Sequence, residues 1–189
     1  LIGQLLLYCG VSEQLASLRI LDDPIEDVAL DPGGQLVLAH LDVRPGDLVI
    51  GSDSHTTTYG ALNAFATGVG STDMAVAIHY GLLWFKVPLS IRIELNGNIP
   101  KGVYAKDISL HFIEKVTSRG ANGLAVEFSG DALEKLSMEG RLTICNMVME
   151  TGAKAGIMPA DDVCRAWLEG KGVTDVLPVT PDRDAVYAG

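Results

Sequence analysis

The 189-residue chain predicts an α/β fold on three observations. Strand-like and helix-like apolar patterns alternate from Gln35 onward. The apolar runs are short and are bounded by Gly, Pro, Asp or Asn. A content of 48% hydrophobic and 20% charged residues belongs to a chain with a packed core, not a disordered one. Alternation of this kind packs helices onto a sheet, and the length suits one domain or two small ones.

Taken in order, residues 1–34 stand apart as an unplaced N-terminal segment. Leu5, Leu6, Cys9, Leu15 and Leu18 predict a helix over 4–18, and Asp22-Asp23-Pro24 and Asp31-Pro32-Gly33-Gly34 break anything longer. Leu1 to Gly10 is apolar but carries no basic stretch or small-residue cleavage site, so it reads as a truncated beginning and not a secretory signal. Residues 35–189 form the α/β segment. Strands are expected over 36–39, 48–51, 90–95, 125–128, 155–157 and 176–177. Helices are expected over 60–67, 73–83, 105–116, 131–135, 141–151 and 160–169.

Charge and cysteine usage exclude several classes. With 24 acidic against 14 basic residues the formal net charge is -10, which disfavours nonspecific binding to nucleic acid or an anionic membrane. No apolar run approaches the roughly 20 residues of a membrane span. Cys9, Cys145 and Cys164 form no C-x-x-C, so neither a zinc ribbon nor a redox pair is indicated, and a reducing, cytoplasmic location is expected. Cys145, in the apolar string Leu142-Thr-Ile-Cys-Asn-Met-Val-Met149, reads as a buried small hydrophobe.

The strongest candidate site is Gly51-Ser-Asp-Ser-His-Thr-Thr-Thr-Tyr-Gly60, on the connection after the expected strand 48–51. Open α/β sheets bind ligands at the carboxyl ends of strands. There Asp53 can orient and charge-stabilise His55, Ser54 can bind an oxyanion, and three threonine hydroxyls can hold further oxygens. A hydroxyl-rich helix N-cap accounts for the same residues equally well. Gly68-Val-Gly70 before Ser71-Thr-Asp73 can cradle an anion, although turn and cap chemistry suffices for it. Asn146 and Glu150, four apart, share one helix face and can point an amide and a carboxylate into one pocket, or form a solvated polar stripe. His40, His79 and His111 have no second ligand at metal spacing and are read as surface or core residues. Trp84 and Phe85 are expected to pack, and Lys86, Lys101 and Lys106 to be solvated. Arg141, one turn before Cys145, is within reach of a carboxylate but is assigned no role.

Several ordered blocks carry a resemblance. They are Asp53-Ser-His-Thr, Gly68-Val-Gly-Ser-Thr-Asp73, Trp84-Phe-Lys-Val-Pro88, Lys101-Gly-Val-Tyr-Ala-Lys-Asp107, Ala125-Val-Glu-Phe-Ser-Gly130, the Asn146/Glu150 segment with Gly152-Ala-Lys-Ala-Gly-Ile-Met-Pro159, and Pro181-Asp-Arg-Asp-Ala-Val-Tyr187. From about residue 35 to 189 the chain resembles the aconitase superfamily, within it the large subunits of 3-isopropylmalate dehydratases and, next, the homoaconitases.

The resemblance implies an aconitase-like three-layer α/β domain, incomplete relative to the family. It also implies part of a hydro-lyase that moves a hydroxyl on a 2- or 3-hydroxy acid by dehydration and rehydration at a [4Fe-4S] cluster. In that reading Asp53, His55 and Glu150 are catalytic, Ser54 and Asn146 bind substrate, and no residue of this chain ligates metal. The family's cluster cysteines belong to later motifs, so the cluster ligands are expected to be absent here and the chain inactive alone. The family's upstream His-Gln pair is replaced by Gly33-Gly34-Gln35-Leu36. The expected partners are the hydroxy-acid substrate and the small subunit or swivelling domain. A noncatalytic aconitase-like binding module is the alternative, and a clusterless acid-base lyase a third reading.

Overall fold

The computed structural model describes residues 43–189, together with the backbone of three strands before them. In chain order the strands are β1 (Leu18–Leu21), β2 (Val28–Leu30), β3 (Leu36–Leu38), β4 (Leu48–Gly51), β5 (Phe65–Gly68), β6 (Ser90–Glu94), β7 (Ala125–Ser129) and β8 (Ala155–Ile157). The helices are α1 (Ser71–Tyr80), α2 (Ala105–Val116), α3 (Met138–Met147) and α4 (Asp162–Gly170). Among the described residues three 3-10 segments, Ser54–Leu62, Leu133–Lys135 and Val148–Thr151, lie between them. The helix expected over 4–18 lies outside the described residues, apart from Leu18 in β1, as do Cys9, Gln35 and His40.

The strands form two parallel three-stranded sheets, β1-β4-β5 and β6-β7-β8, and an antiparallel β2-β3 pair. This is the α/β architecture expected. Strand β4 explains how the first sheet holds together. All four of its residues are buried, as a strand of a covered parallel sheet requires. Its side chains alternate between two apolar clusters: Val49 joins Ala61, Leu62 and Ala66, whereas Leu48 and Ile50 pack on Met74 and Ala77 of α1. Each such aliphatic side chain contributes about 1.5–3 kcal/mol on burial. The second sheet carries its own half of the larger cluster, where Phe128 of β7 meets Phe112 of α2 edge to face at 5.7 Å.

Close backbone contact joins the two sheets. The Gly60 carbonyl accepts from Met158 N–H at 3.0 Å, just past β8, and a Cβ on Gly60 would collide with the Gly156 carbonyl. Asn63 donates to the Met158 carbonyl at 2.9 Å and accepts from Val179 N–H at 2.8 Å.

Arg141 makes the other long-range tie. It is fully buried, its two Nη groups donate to both carboxylate oxygens of Asp161 at 2.7 and 2.6 Å, and Nη2 also donates to the Leu133 carbonyl at 2.7 Å. Asp161 in turn caps α4 by accepting from Cys164 N–H at 3.1 Å. The carboxylate within reach of Arg141 is therefore structural.

Five sequence expectations need correction. The helix expected over 60–67 is instead the end of a 3-10 segment followed by β5. Asn63 reverses the chain at φ 63°, and Phe65 then pairs with Leu48. A short apolar run in a buried parallel strand has no periodicity of its own, which is why it resembled a helix. The helix expected over 131–135 shortens to Leu133–Lys135, and that over 141–151 starts earlier, at the Ser137 cap, and tightens to 3-10 after Met147. No strand forms over 176–177. Leu177 is exposed next to Pro178, which has no N–H to give a ladder. Finally, Trp84 does not pack: it is 84% exposed, while Phe85 packs edge to face on Phe65.

Candidate functional site at the ends of β4 and β5

Strands β4 and β5 end side by side, Gly51 opposite Gly68. The chain leaves β4 through Ser52 and enters the 3-10 segment at Asp53, its N-cap. Nine residues is long for a 3-10 helix, and the threonines supply the reason. Thr56 Oγ1 donates to the Asp53 carbonyl and Thr58 Oγ1 to the His55 carbonyl, each at 2.6 Å and three residues back, which reinforces the tighter winding.

Asp53 fixes the histidine. One carboxylate oxygen, Oδ1, accepts from His55 N–H at 2.7 Å and from the ring Nδ1 at 3.1 Å. An ionised carboxylate only accepts, so Nδ1 carries the hydrogen and Nε2 is left to exchange a proton with a ligand. The N-cap reading of Asp53-Ser-His holds, and the carboxylate that caps the segment also orients the His55 ring. Gly68 is required for it. A Cβ there would lie 2.6 Å from the Asp53 carbonyl oxygen and 2.8 Å from Ser54 Cα, so β5 approaches the site more closely than any side chain permits.

A cleft of about 500 Å³ opens at these strand ends. Asp53, Ser54, Thr57, Thr67, Met149 and Lys154 contribute to its lining. A larger cavity of about 840 Å³ lies between β5, the β7–β8 region and the C-terminal residues Pro178 to Tyr187. It includes none of the five residues singled out from the sequence, and it sits beside the start of β5, not its end. The smaller cleft is the one where α/β sheets place ligands.

The five residues are distributed as follows. Asp53 and Ser54 line the cleft, and His55 is bound to Asp53. Asn146, on α3, donates to Thr58 Oγ1 at 3.0 Å, which brings the amide onto the same 3-10 segment. Glu150 is exposed and follows the cleft residue Met149. Because α3 gives way to 3-10 geometry at Val148, Asn146 and Glu150 do not share one continuous α-helical face. Sequence reading offered Thr57 only as one of three threonine hydroxyls and missed Met149 and Lys154. The Thr run and the Gly152-Ala-Lys-Ala-Gly156 block were visible, but nothing in their spacing placed them at one cleft.

The donor set among the described residues does not fit an iron-sulfur cluster. Among the described residues no three His, Cys, Asp or Glu side chains come together in a metal-holding group. Cys145 is fully buried, as expected of a small hydrophobe, and burial pushes its thiol up. Burial likewise raises the Cys164 thiol to about 11. A cluster is held by several thiolates converging on one site, and neither thiol belongs to such a group among the described residues. His79 stacks edge to face on Tyr80, and His111 faces Glu114 at 3.5 Å; both are exposed. No helix among the described residues is long and apolar enough to cross a membrane.

Comparison with known proteins agrees with the blocks read from the sequence. The profile of the Aconitase family (aconitate hydratase) matches residues 35–182. The chain is 46% identical over 145 residues to 3-isopropylmalate dehydratase large subunit 1 of Methanopyrus kandleri, covering 77% of this chain and 35% of that one. It is 51% identical over 143 residues to the probable methanogen homoaconitase large subunit of Methanosarcina mazei, covering 76% and 37%. With the 2,3-dimethylmalate dehydratase large subunit of Eubacterium barkeri the identity is 50% over 145 residues, covering 77% and 34%. The chain thus spans about a third of the length of these curated relatives. A parallel-stranded α/β unit with Asp-Ser-His at its strand ends, matched over most of its length by this profile, belongs to the aconitase family.

Proposed function

We propose that the chain is part of the large subunit of a cytoplasmic hydro-lyase of the 3-isopropylmalate dehydratase type, which moves a hydroxyl on a 2- or 3-hydroxy acid by removing and re-adding water. The observation that carries this reading is the Asp53–His55 pair, fixed by two hydrogen bonds beside a hydroxyl-lined cleft at the ends of β4 and β5. Water removal needs a positioned proton donor, and re-addition needs the same group as acceptor. In this proposal His55 Nε2 does that work, Asp53 holds the ring and stabilises its cationic form, and Ser54 binds substrate oxygen. Asn146, bonded to Thr58 of the same 3-10 segment, serves as a substrate contact and Glu150 as a second acid-base group. The relatives' names support a dehydratase of malate-type acids, and "large subunit" in those names supports a small-subunit partner. The [4Fe-4S] cluster of the family would be held by residues other than those described, and the chain alone would be inactive.

The test is a chimera. Residues 35–182 replace the matching segment of the Methanopyrus kandleri large subunit, and dehydration of 3-isopropylmalate is followed with the small subunit present, through the ultraviolet absorbance of the unsaturated acid. Turnover is expected, with His55→Ala lowering kcat by about 10²–10⁴-fold. A chimera that assembles with its cluster intact yet turns over equally well without His55 would refute the assignment. The alternative, a noncatalytic binding module, draws on the exposed apolar residues Ile78, Tyr80, Leu82, Trp84 and Leu89, which run from the end of α1 towards β6. An assembled but inert chimera would favour it.

A further inference from the structure

We infer that Thr57 and Lys154 form a carboxylate-binding subsite in the cleft, one that holds a substrate carboxylate next to the Asp53–His55 pair. Thr57 is only 1% exposed, lines the cleft, and its hydroxyl has no hydrogen-bond partner. Its neighbours Thr56 and Thr58 spend their hydroxyls on carbonyls three residues back, and Thr57 alone does not. A buried hydroxyl without a partner is rare in native structures and is explained when a ligand supplies the missing acceptor.

Lys154 provides the charge. It is the one cation among the residues that line the cleft, it is exposed, and its ammonium is engaged in no ion pair or hydrogen bond among the described residues. Its backbone is anchored, since Lys154 N–H donates to the Leu124 carbonyl at 2.7 Å. Asp53 is the one carboxylate on the lining, and its Oδ1 is already shared between two donors of His55. One free cation and one free buried hydroxyl match a monoanionic carboxylate, which accepts from both. A phosphate dianion would face the Asp53 charge with a single compensating lysine, so it fits less well.

This inference rests on the hydro-lyase reading and adds the group that anchors the hydroxy acid. The probe is malate, titrated into the 189-residue chain by calorimetry and by line broadening of the ¹³C-labelled acid. The variants are Lys154→Gln, Thr57→Val and Thr57→Ser, each checked for folding by circular dichroism. Saturable binding is expected. Lys154→Gln and Thr57→Val should each weaken it by about 10-fold or more, the loss of one charge-assisted hydrogen bond, while Thr57→Ser restores it. Equal affinity in all variants, or no saturable binding of malate, overturns the subsite. Neither result touches the hydro-lyase reading, which stands or falls on turnover by the chimera with and without His55.

Discussion

Replacing Arg141 with methionine tests how the half of the domain behind the site is held. The side chain is fully buried and makes two hydrogen bonds to Asp161 and one to the Leu133 carbonyl, with a long fourth contact of 3.4 Å to the Leu136 carbonyl. Methionine keeps the apolar stem but removes every donor. The Leu133 carbonyl then loses a charge-assisted hydrogen bond of about 1.5–3 kcal/mol but keeps Leu136 N–H at 3.0 Å. Asp161 is 24% exposed, so water recovers part of its solvation, and it keeps its bond to Cys164 N–H. With the Asp161 pair broken as well, the whole loss should reach about 3–5 kcal/mol, the range for breaking a buried pair. Urea unfolding followed by far-ultraviolet circular dichroism measures it, with an unchanged m-value as the check that the denatured state is the same. Asp161→Asn retains the cap and removes the charge, and the double variant should cost at least about 1 kcal/mol less than the sum of the two singles. A loss under about 1 kcal/mol for Arg141→Met, or strict additivity, would refute the role of the pair.

The same carboxylate sets an acid limit. Desolvation raises the Asp161 pKa, but hydrogen bonds from Arg141 and Cys164, with the Arg141 charge, outweigh it and leave the group below its ordinary value. A depressed folded pKa contributes stability above the unfolded value of about 3.9 that is lost as pH falls through the folded one. Wild-type stability should therefore drop more steeply than that of Asp161→Asn in acid titration, and parallel curves would contradict this. Gly68→Ala should cost about 1–3 kcal/mol by pushing β5 against Asp53 and Ser54, and should abolish chimera turnover; a chimera that keeps full activity would mean that the close approach is not needed. In a Cys9→Ser background, Cys145 and Cys164 should resist a thiol reagent near neutral pH until the chain is unfolded. A rapidly labelled thiol in the native chain would show that one of them is reachable.

Much of this was legible in the sequence, for physical reasons that differ between elements. Strand β4 and helix α2 matched their expected bounds because a turn or a cap marks each start: Arg44-Pro45-Gly46 before one, and the Asp107 carboxylate accepting from Tyr104 N–H at 2.8 Å at the other. Asp53-Ser-His was placed correctly at a strand end because its flanks, an apolar run and a glycine, are local signals. What local signals do not carry is winding and pairing. The 3-10 geometry of Ser54–Leu62 depends on side-chain bonds from Thr56 and Thr58, and β5 exists because it pairs with β4. The change of winding after Met147 likewise escapes a period of 3.6, so the spacing of Asn146 and Glu150 suggested a shared face that the backbone does not provide.

Those two features, winding and pairing, also explain why Thr57 is left as it is. In a regular α-helix its hydroxyl could return to a carbonyl of the preceding turn, as Ser109 does to Ala105 at 3.0 Å in α2. In the 3-10 segment the hydroxyls on either side take the carbonyls of Asp53 and His55, and the Thr57 hydroxyl faces the cleft without a partner. The unmet hydroxyl costs the ligand-free chain about 1–3 kcal/mol. Thr57→Val should therefore stabilise the free chain while weakening its hold on malate. Opposite signs in the two measurements separate a binding residue from a packing residue, because a threonine kept only for packing would lose stability or nothing on the same exchange. Stability given up at one buried hydroxyl, beside a histidine whose orientation is fixed, is what a preorganised binding site requires of its fold.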